Sequence, residues 1–236
     1  MATALSSLET QARDHLNESS AAFWSSAELI RHANNGIKDL WKSITDLYED
    51  HYITVDESNV SLEAGATTLT GVPSDVYRIT IIEPRDTTAT GTGRHVLLLP
   101  RPYHGPDFTN ARAMATQDPS NGLAVYYDVH GAGAPVGAPT IRVAPRISSD
   151  LNLRVAYVPT IPTKTSSDDN PVPGESDQAL IAWIVAYARA KEREDRSPDP
   201  NWLAVYATEK QNCLTSLQPR QTQEPVVVEG MFDAFF

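Results

Sequence analysis

An α+β fold is predicted. N-terminal helices and a C-terminal helical hairpin form one helical bundle, with an inserted antiparallel β sandwich or barrel-like domain and an extended C-terminal arm. Three observations in the 236-residue chain predict it. Apolar residues recur at three- and four-residue spacing up to about residue 50. At residue 52 the pattern changes to short β-branched and aromatic runs between turn signals, and it lasts to about residue 160. Helical spacing then returns near residue 177 and stops near 217. Neither helical end is large enough alone for a comfortable core, so the economical solution packs the first helices against the last. The expected boundaries are 1–51 for the N-terminal helices, 52–163 for the β domain, 164–176 for a linker, 177–218 for the hairpin and 219–236 for the arm.

Each element has a local reason. Leu5, Leu8, Ala12 and Leu16 share one helical face, and Asn17-Glu18-Ser19-Ser20 interrupts it. Ser25 and Glu28 form a capping box, in which each side chain can satisfy the other's free backbone N–H. Ile30, Ala33, Ile37, Leu40/Trp41, Ile44 and Leu47/Tyr48 then make an apolar stripe over about six turns. Gly36 costs about 1 kcal/mol there relative to Ala, which suits close approach of another backbone. Strands are expected at 52–55, 76–82, 96–99, 123–129, 140–143 and 151–158. The last alternates as a half-buried strand does. Residues 159–176 read as a polar, proline-punctuated linker. Ser176 and Asp177 are the expected cap of the next helix, whose face is Leu180/Ile181, Ile184 and Tyr187/Ala188. Asp199, with Pro200 at the first helical position, caps the final one. Its face carries Leu203, Tyr206/Ala207, Lys210, Cys213/Leu214 and Leu217.

Composition narrows the function. Hydrophobic residues make up 41% of the chain, enough for a packed core. Thirty acidic against nineteen basic side chains give a formal net charge of −11, which opposes tight binding to a nucleic-acid backbone. A single cysteine, Cys213, excludes an intrachain disulfide and a CxxC motif. No apolar run approaches the ~18 residues of a membrane span, and the N-terminus lacks the basic flank and apolar stretch of a secretory signal. A soluble, acidic, intracellularly made protein, with no membrane partner, is the expectation.

Chemistry is sparse. Nucleophile-elbow, zincin, phosphate-loop and EF-hand motifs do not occur. His15, His32, His51, His95, His104 and His130 share no metal-like spacing, so no metal site is expected. Asp168, Asp169, Glu175 and Asp177 could bind a hard cation, but a solvated acidic linker explains them better. Ser74-Asp75 reads as a turn before a strand. Glu83, Asp86, Asp107 and Asp128 offer carboxylates for a glycan-acting hydrolase, yet nothing marks a pair. Tyr103, Tyr126 and Tyr127 could serve a binding module and suit packing equally. The run Lys191 to Arg196 mixes signs and reads as a solvated helix end with local ion pairs. Cys213 lies on an apolar face and reads as core. Neither catalysis nor a cofactor is expected.

The C-terminal segment is the exception. Val226, Val227, Val228, Met231, Phe232, Phe235 and Phe236 follow a spacer at 218–225, and no Lys or Arg occurs after Arg220. Such a segment either folds back on its own domain or docks on another chain through strand addition or aromatic anchors. The docking arm is the reading adopted, because the hairpin before it already closes the helical unit.

Taken in order, these motifs resemble a known family. Residues 23–41, from Phe23-Trp24-Ser25 through Glu28-Leu29-Ile30 to Asp39-Leu40-Trp41, are similar to the opening helix of tailed-bacteriophage head-to-tail adaptor proteins. Gly71-Val72-Pro73-Ser74-Asp75-Val76-Tyr77-Arg78 resembles the start of a strand in those proteins, with Val72 and Val76 in place of the usual Leu and Phe. Leu151 to Pro159 resembles their late strand, and a helical pair starting near Asp177-Gln178-Ala179-Leu180 completes the order. The resemblance covers about residues 20–217. It implies a ring, usually twelve-fold, docked beneath the capsid portal in the virion neck. The ring continues the DNA channel without specific DNA binding and offers a platform to tail or nozzle proteins. It also implies that the arm reaches the portal. Another neck, head-closure or tail-completion protein is the neighbouring alternative.

Overall fold

Five helices and seven strands make up the described part of the chain. The computed structural model describes residues 3–18, 22–48, 51–85, 96–118, 124–130, 138–193 and 195–217. Two compact units result, one from Met1–His51 with the chain from Pro162 onward, the other from Tyr52–Ile161.

In the helical unit, α1 (Leu5–Leu16) and α2 (Ser26–Leu47) come from the N-terminal end. Then α4 (Asp177–Arg189) and α5 (Pro200–Ser216) come from the C-terminal end. Helix α4 touches α1, α2 and α5. It buries Ala179, Leu180, Ile181, Ala182, Ile184, Val185, Ala186 and Ala188, so it is apolar on nearly every side rather than on the single face expected. Its three neighbours explain this, since each needs an apolar surface to cover.

Helix α1 has Ala4 at its N-cap and no side-chain cap. Its first free N–H groups are satisfied from afar: Leu5 donates to the Asp168 carbonyl at 2.9 Å and Ser6 to the Ser166 carbonyl at 3.0 Å. The segment expected as a solvated acidic linker is therefore packed. Asn170, Val172 and Ser176 are buried there, and the Asn170 side-chain amide donates to Ser176 Oγ (3.2 Å) and Asp177 Oδ1 (2.9 Å). Ser176 consequently makes no cap bond to α4, which starts from a 3-10 turn at Gly174–Ser176. At the other caps the expectation holds. Ser25 Oγ accepts from the Glu28 N–H at 3.2 Å, and Asp199 Oδ1 from the Asn201 N–H at 2.9 Å. The Glu28 carboxylate, however, pairs with Lys191 at 3.1 Å.

Along α2 the stripe buries Leu29, Ala33, Ile37, Leu40, Trp41 and Ile44, while Leu47 is 56% exposed and lies off the core. Gly36 is covered by a side chain, not by a backbone: a Cβ there would lie 2.9 Å from Trp183 Cδ1. Asn34 makes a second tie, holding both backbone groups of Lys164: its Nδ2 donates to the Lys164 carbonyl at 2.9 Å and its Oδ1 accepts the Lys164 N–H at 2.7 Å. Asp39 links α2 to α5 by accepting from Tyr206 Oη and pairing with Lys210 Nζ at 2.6 Å. Burial, and then the Asp39 hydrogen bond, pushes the Tyr206 hydroxyl far above its ordinary value.

The turn from α1 to α2 is built on Glu18. Its carboxylate accepts the backbone N–H groups of Ala22 (3.0 Å), Phe23 and Trp24 (3.1 Å), and it meets Arg13 at 3.3 Å. The Phe23 bond is the largest of the influences holding the Glu18 carboxyl below its ordinary 4.5. A depressed folded value stabilises the turn above the unfolded pKa, and this stabilisation is lost as pH falls through the folded one. Acidification below 4.5 is therefore expected to speed hydrogen exchange at Phe23 and Trp24. In Glu18→Gln that pH step disappears and exchange is fast throughout. An unchanged step in the variant assigns it to another carboxylate.

In the β unit, β7 (Leu151–Pro159) is the central strand. It pairs antiparallel with β3 (Val76–Pro84), and also with β1 (Thr54–Asp56) and β2 (Ser61–Leu62). The second sheet has the order β4 (Leu97–Pro100), β5 (Ala124–His130), β6 (Thr140–Ala144). Bridges Ser61–Thr70 and Thr68–Arg142 tie the segment at 67–70 to both sheets. One core that includes Leu62, Ile82, Val125, Ile141, Leu153 and Val155 fills the unit. Gly71 sits at φ +71°, where a Cβ would lie 1.9 Å from the Asn59 carbonyl oxygen, so this turn accepts glycine alone.

Two features of this unit depart from the wholly antiparallel expectation. Strand β4 pairs with β5 in parallel. A parallel pair needs a crossover, and helix α3 (Pro106–Ala113) lies within it. Gly105-Pro106-Asp107 carried the signal for that helix, with proline at its first position and an acid in its first turn.

Candidate interaction sites

Helix α3 buries Phe108 and Ala111 against Ala144, the last residue of β6. This anchoring leaves Arg112 exposed on α3, beside Arg142 of β6. Both guanidinium groups lie against the ring of Tyr103, at 4.7 and 4.6 Å from its centroid. Tyr103 is itself fixed: its N–H donates to Asp128 Oδ2 at 2.9 Å, and its ring packs on Phe108 at 5.2 Å and His130 at 5.3 Å. Around them opens a cavity of about 420 Å³, completed by Arg146, Thr67, Thr68, Thr140 and Val143. Sequence reasoning named Tyr103 but missed the arginines, which lie at 112, 142 and 146 and converge through the fold. Their one sequence signal is that Arg142 lies within a short strand and Arg146 just after it, in an acidic chain.

The other tyrosines are structural. Tyr127 is buried in the β core, where burial raises its hydroxyl pKa, and Tyr126 packs on the Phe108 cluster. The carboxylates weighed for hydrolysis are engaged separately. Glu83 pairs with Arg154, Asp107 with Arg101 at 3.1 Å, and Asp128 with His130 at 3.1 Å. Asp86 lies outside the described residues. Of the acids weighed for a cation, Asp168 and Asp177 have structural partners. Asp168 Oδ2 accepts the Thr165 N–H at 2.6 Å, and Asp177 Oδ2 accepts from Thr3 at 2.5 Å. Asp75 accepts from Tyr157 Oη at 3.2 Å.

The histidines are dispersed. His15 packs on Trp202 at 5.0 Å, and His104 on Tyr103 at 5.1 Å. His32 lies over Tyr187 at 5.9 Å, with its pKa lowered by burial and by Arg31. His95 lies outside the described residues. Among the described residues no group of three His, Cys, Asp or Glu is placed to hold a metal ion. No helix among them is long and apolar enough to cross a membrane. Cys213 is 1% exposed on α5, and burial raises its pKa. Lys191 bonds to the Phe23 carbonyl at 2.6 Å as well as to Glu28, so the first residue of the mixed-charge run serves the helical fold. The arm residues Val226, Val227, Val228, Met231, Phe232, Phe235 and Phe236 lie outside the described residues.

These observations define a mixed α+β protein in which Glu83, Asp107, Asp128, Asp168 and Asp177, singled out for chemistry, hold structural partners instead. Its sequence matches the profile of the SU10 adaptor protein over residues 3–229, and the chain belongs to that family. The family is a structural bacteriophage adaptor, not an enzyme class, and its place is the virion neck among head and tail proteins. A comparison with curated proteins gave no match.

Proposed function

We propose that the chain is the subunit of a twelve-fold ring that joins the capsid portal to the tail and continues the DNA channel between them. Family membership over residues 3–229 carries this reading. The charge supports it. A net −11 on each copy, repeated around a ring, makes a lumen that repels phosphates, so the genome slides through without specific binding. Ring closure needs a head-to-tail contact between copies.

In this proposal residues 1–51 and the hairpin at 177–218 form the helical body. Residues 52–163 are the β insertion, and 164–176 connect the two. Residues 219–236 are the docking arm, with Val226, Val227, Val228, Met231, Phe232, Phe235 and Phe236 as its anchors on the portal. Tail or nozzle proteins meet the opposite face. The subunit is made in the host cytoplasm and ends in the particle.

Native mass measurement of the chain mixed with its portal tests this reading. The expected result is a portal complex carrying twelve copies. A chain that stays monomeric with portal present overturns it. A ring that forms without portal and binds only tail components points to a head-closure or tail-completion role instead.

A further inference from the structure

We infer that the arginine pocket of the β unit binds an acidic, aromatic peptide segment, and that its occupant in the free protein is residues 224–236 of a second copy of this chain. The inference shares with the proposed function the premise that the arm is a docking element, but it needs no portal.

Charge carries the first step. Among the described residues, Arg13, Arg101, Arg154, Arg189 and Arg193 each pair with a carboxylate. Arg112, Arg142 and Arg146 gather at one cavity and meet no carboxylate among those residues. With 30 acids to 19 bases in the chain, a shortage of partners does not explain this. Clustered like charges repel, so the arrangement favours an anion between them.

Geometry carries the second step. The Tyr103 ring holds Arg112 and Arg142 at 4.7 and 4.6 Å, which orders both side chains and leaves their N–H donors for a ligand. Thr67, Thr68 and Thr140 add hydroxyls, while Phe108, Val143 and Ala144 supply an apolar wall. A cavity of about 420 Å³ takes a carboxylate with an apolar neighbour or two, not a folded domain. A nucleic-acid backbone fits less well, because it needs a continuous track of cations on a surface that here carries net −11.

The occupant follows from complementarity. Residues 224–236 contain Glu224, Glu229 and Asp233, with Met231, Phe232, Phe235 and Phe236 beside them and no basic residue. Asp233 next to Phe232 pairs a carboxylate for the arginines with a ring for the apolar wall. The pocket and the portal thus compete for one arm, and capture by the portal would release it.

The test is a titration of a fluorescein-labelled peptide of residues 224–236 into the full chain at low salt, read by anisotropy. Saturable binding is expected, displaced by the unlabelled peptide. Arg112 and Arg142 are exposed, so the double variant Arg112→Gln/Arg142→Gln keeps the native circular dichroism and binds the peptide at least about tenfold more weakly. Should that variant misfold, a peptide carrying Phe232→Ser and Asp233→Asn decides the matter on the unaltered protein, with the same loss expected. In sedimentation the full chain self-associates, and the arginine variant does so less. Absence of saturable binding overturns the proposal, as does binding indifferent to the arginines or to the peptide changes. Tighter binding of a thymidine oligonucleotide to the same arginines marks a nucleic-acid site and also overturns it. A full chain that is monomeric at every concentration places the arm on its own copy and refutes exchange between copies.

Discussion

A chain lacking residues 224–236 is expected to fold normally and to lose the proposed attachment to the portal. Folding survives because the described helical core is closed without the arm. Helix α5 ends with the Leu217 N–H bonded to the Cys213 carbonyl at 3.2 Å, and Leu217 and Cys213 are already buried. Attachment is expected to fail because, in the proposed docking, interface energy concentrates in a few buried apolar anchors, each worth about 2 kcal/mol or more. The deletion removes Val226, Val227, Val228, Met231, Phe232, Phe235 and Phe236 together. Loss of even two such anchors weakens binding by roughly three orders of magnitude. Thermal melting of the truncated chain and its co-sedimentation with portal measure the two halves separately. An unfolded truncated chain would make the arm part of the core. A folded one that still co-sediments would move the portal contact elsewhere.

Gly36→Leu is expected to destabilise the helical unit by about 3 kcal/mol, a large part of a typical domain's stability of ~5–15 kcal/mol. The first added atom already meets Trp183 Cδ1 at 2.9 Å, Trp183 Cγ at 3.0 Å and Leu180 Cδ2 at 3.1 Å. The Trp183 ring cannot easily retreat, since Tyr187 and Tyr206 pack on it at 4.4 and 4.8 Å. Gly36→Ala separates the terms. Its helix propensity favours folding by about 1 kcal/mol relative to Gly, so any net loss reports the contact with Trp183. Chemical denaturation followed by tryptophan fluorescence reads both variants. A Gly36→Leu chain as stable as the parent would show that α2 and α4 separate at little cost.

Local rules explain which elements were legible. Helix α1 was readable because Leu5, Leu8, Ala12 and Leu16 are all buried on one face, as their spacing implies. The caps at Ser25 and Asp199 were readable because a cap bond spans two or three residues, and both bonds form. Strand β7 was readable as an alternating run, although burial becomes continuous from Val155 to Val158. That span is flanked by β1 on one side and β3 on the other.

What stayed hidden depended on distant partners. Ser176 has the right residue type and place for a cap, but Asn170 takes its hydroxyl. Asp168 looks like a solvated acid, but its carbonyl completes the start of α1. The parallel β4–β5 pair and the crossover helix escaped because pairing direction is decided between strands 27 residues apart (Leu97 with Ala124), not within either one.

The sequence by itself determined the α+β class, the helical faces of α1 and α2 and the acidic balance, and its ordered motifs pointed to the adaptor family. Periodicity, capping and charge are properties of neighbouring residues, so they survive without coordinates. Tertiary structure alone decided where Gly36 is needed, which carboxylates are engaged, and that Arg112, Arg142 and Arg146 share one cavity around Tyr103. A cluster of that kind is assembled from α3 and the strand and loop residues beside it, and no spacing along the chain encodes the distance between side chains that only folding brings together.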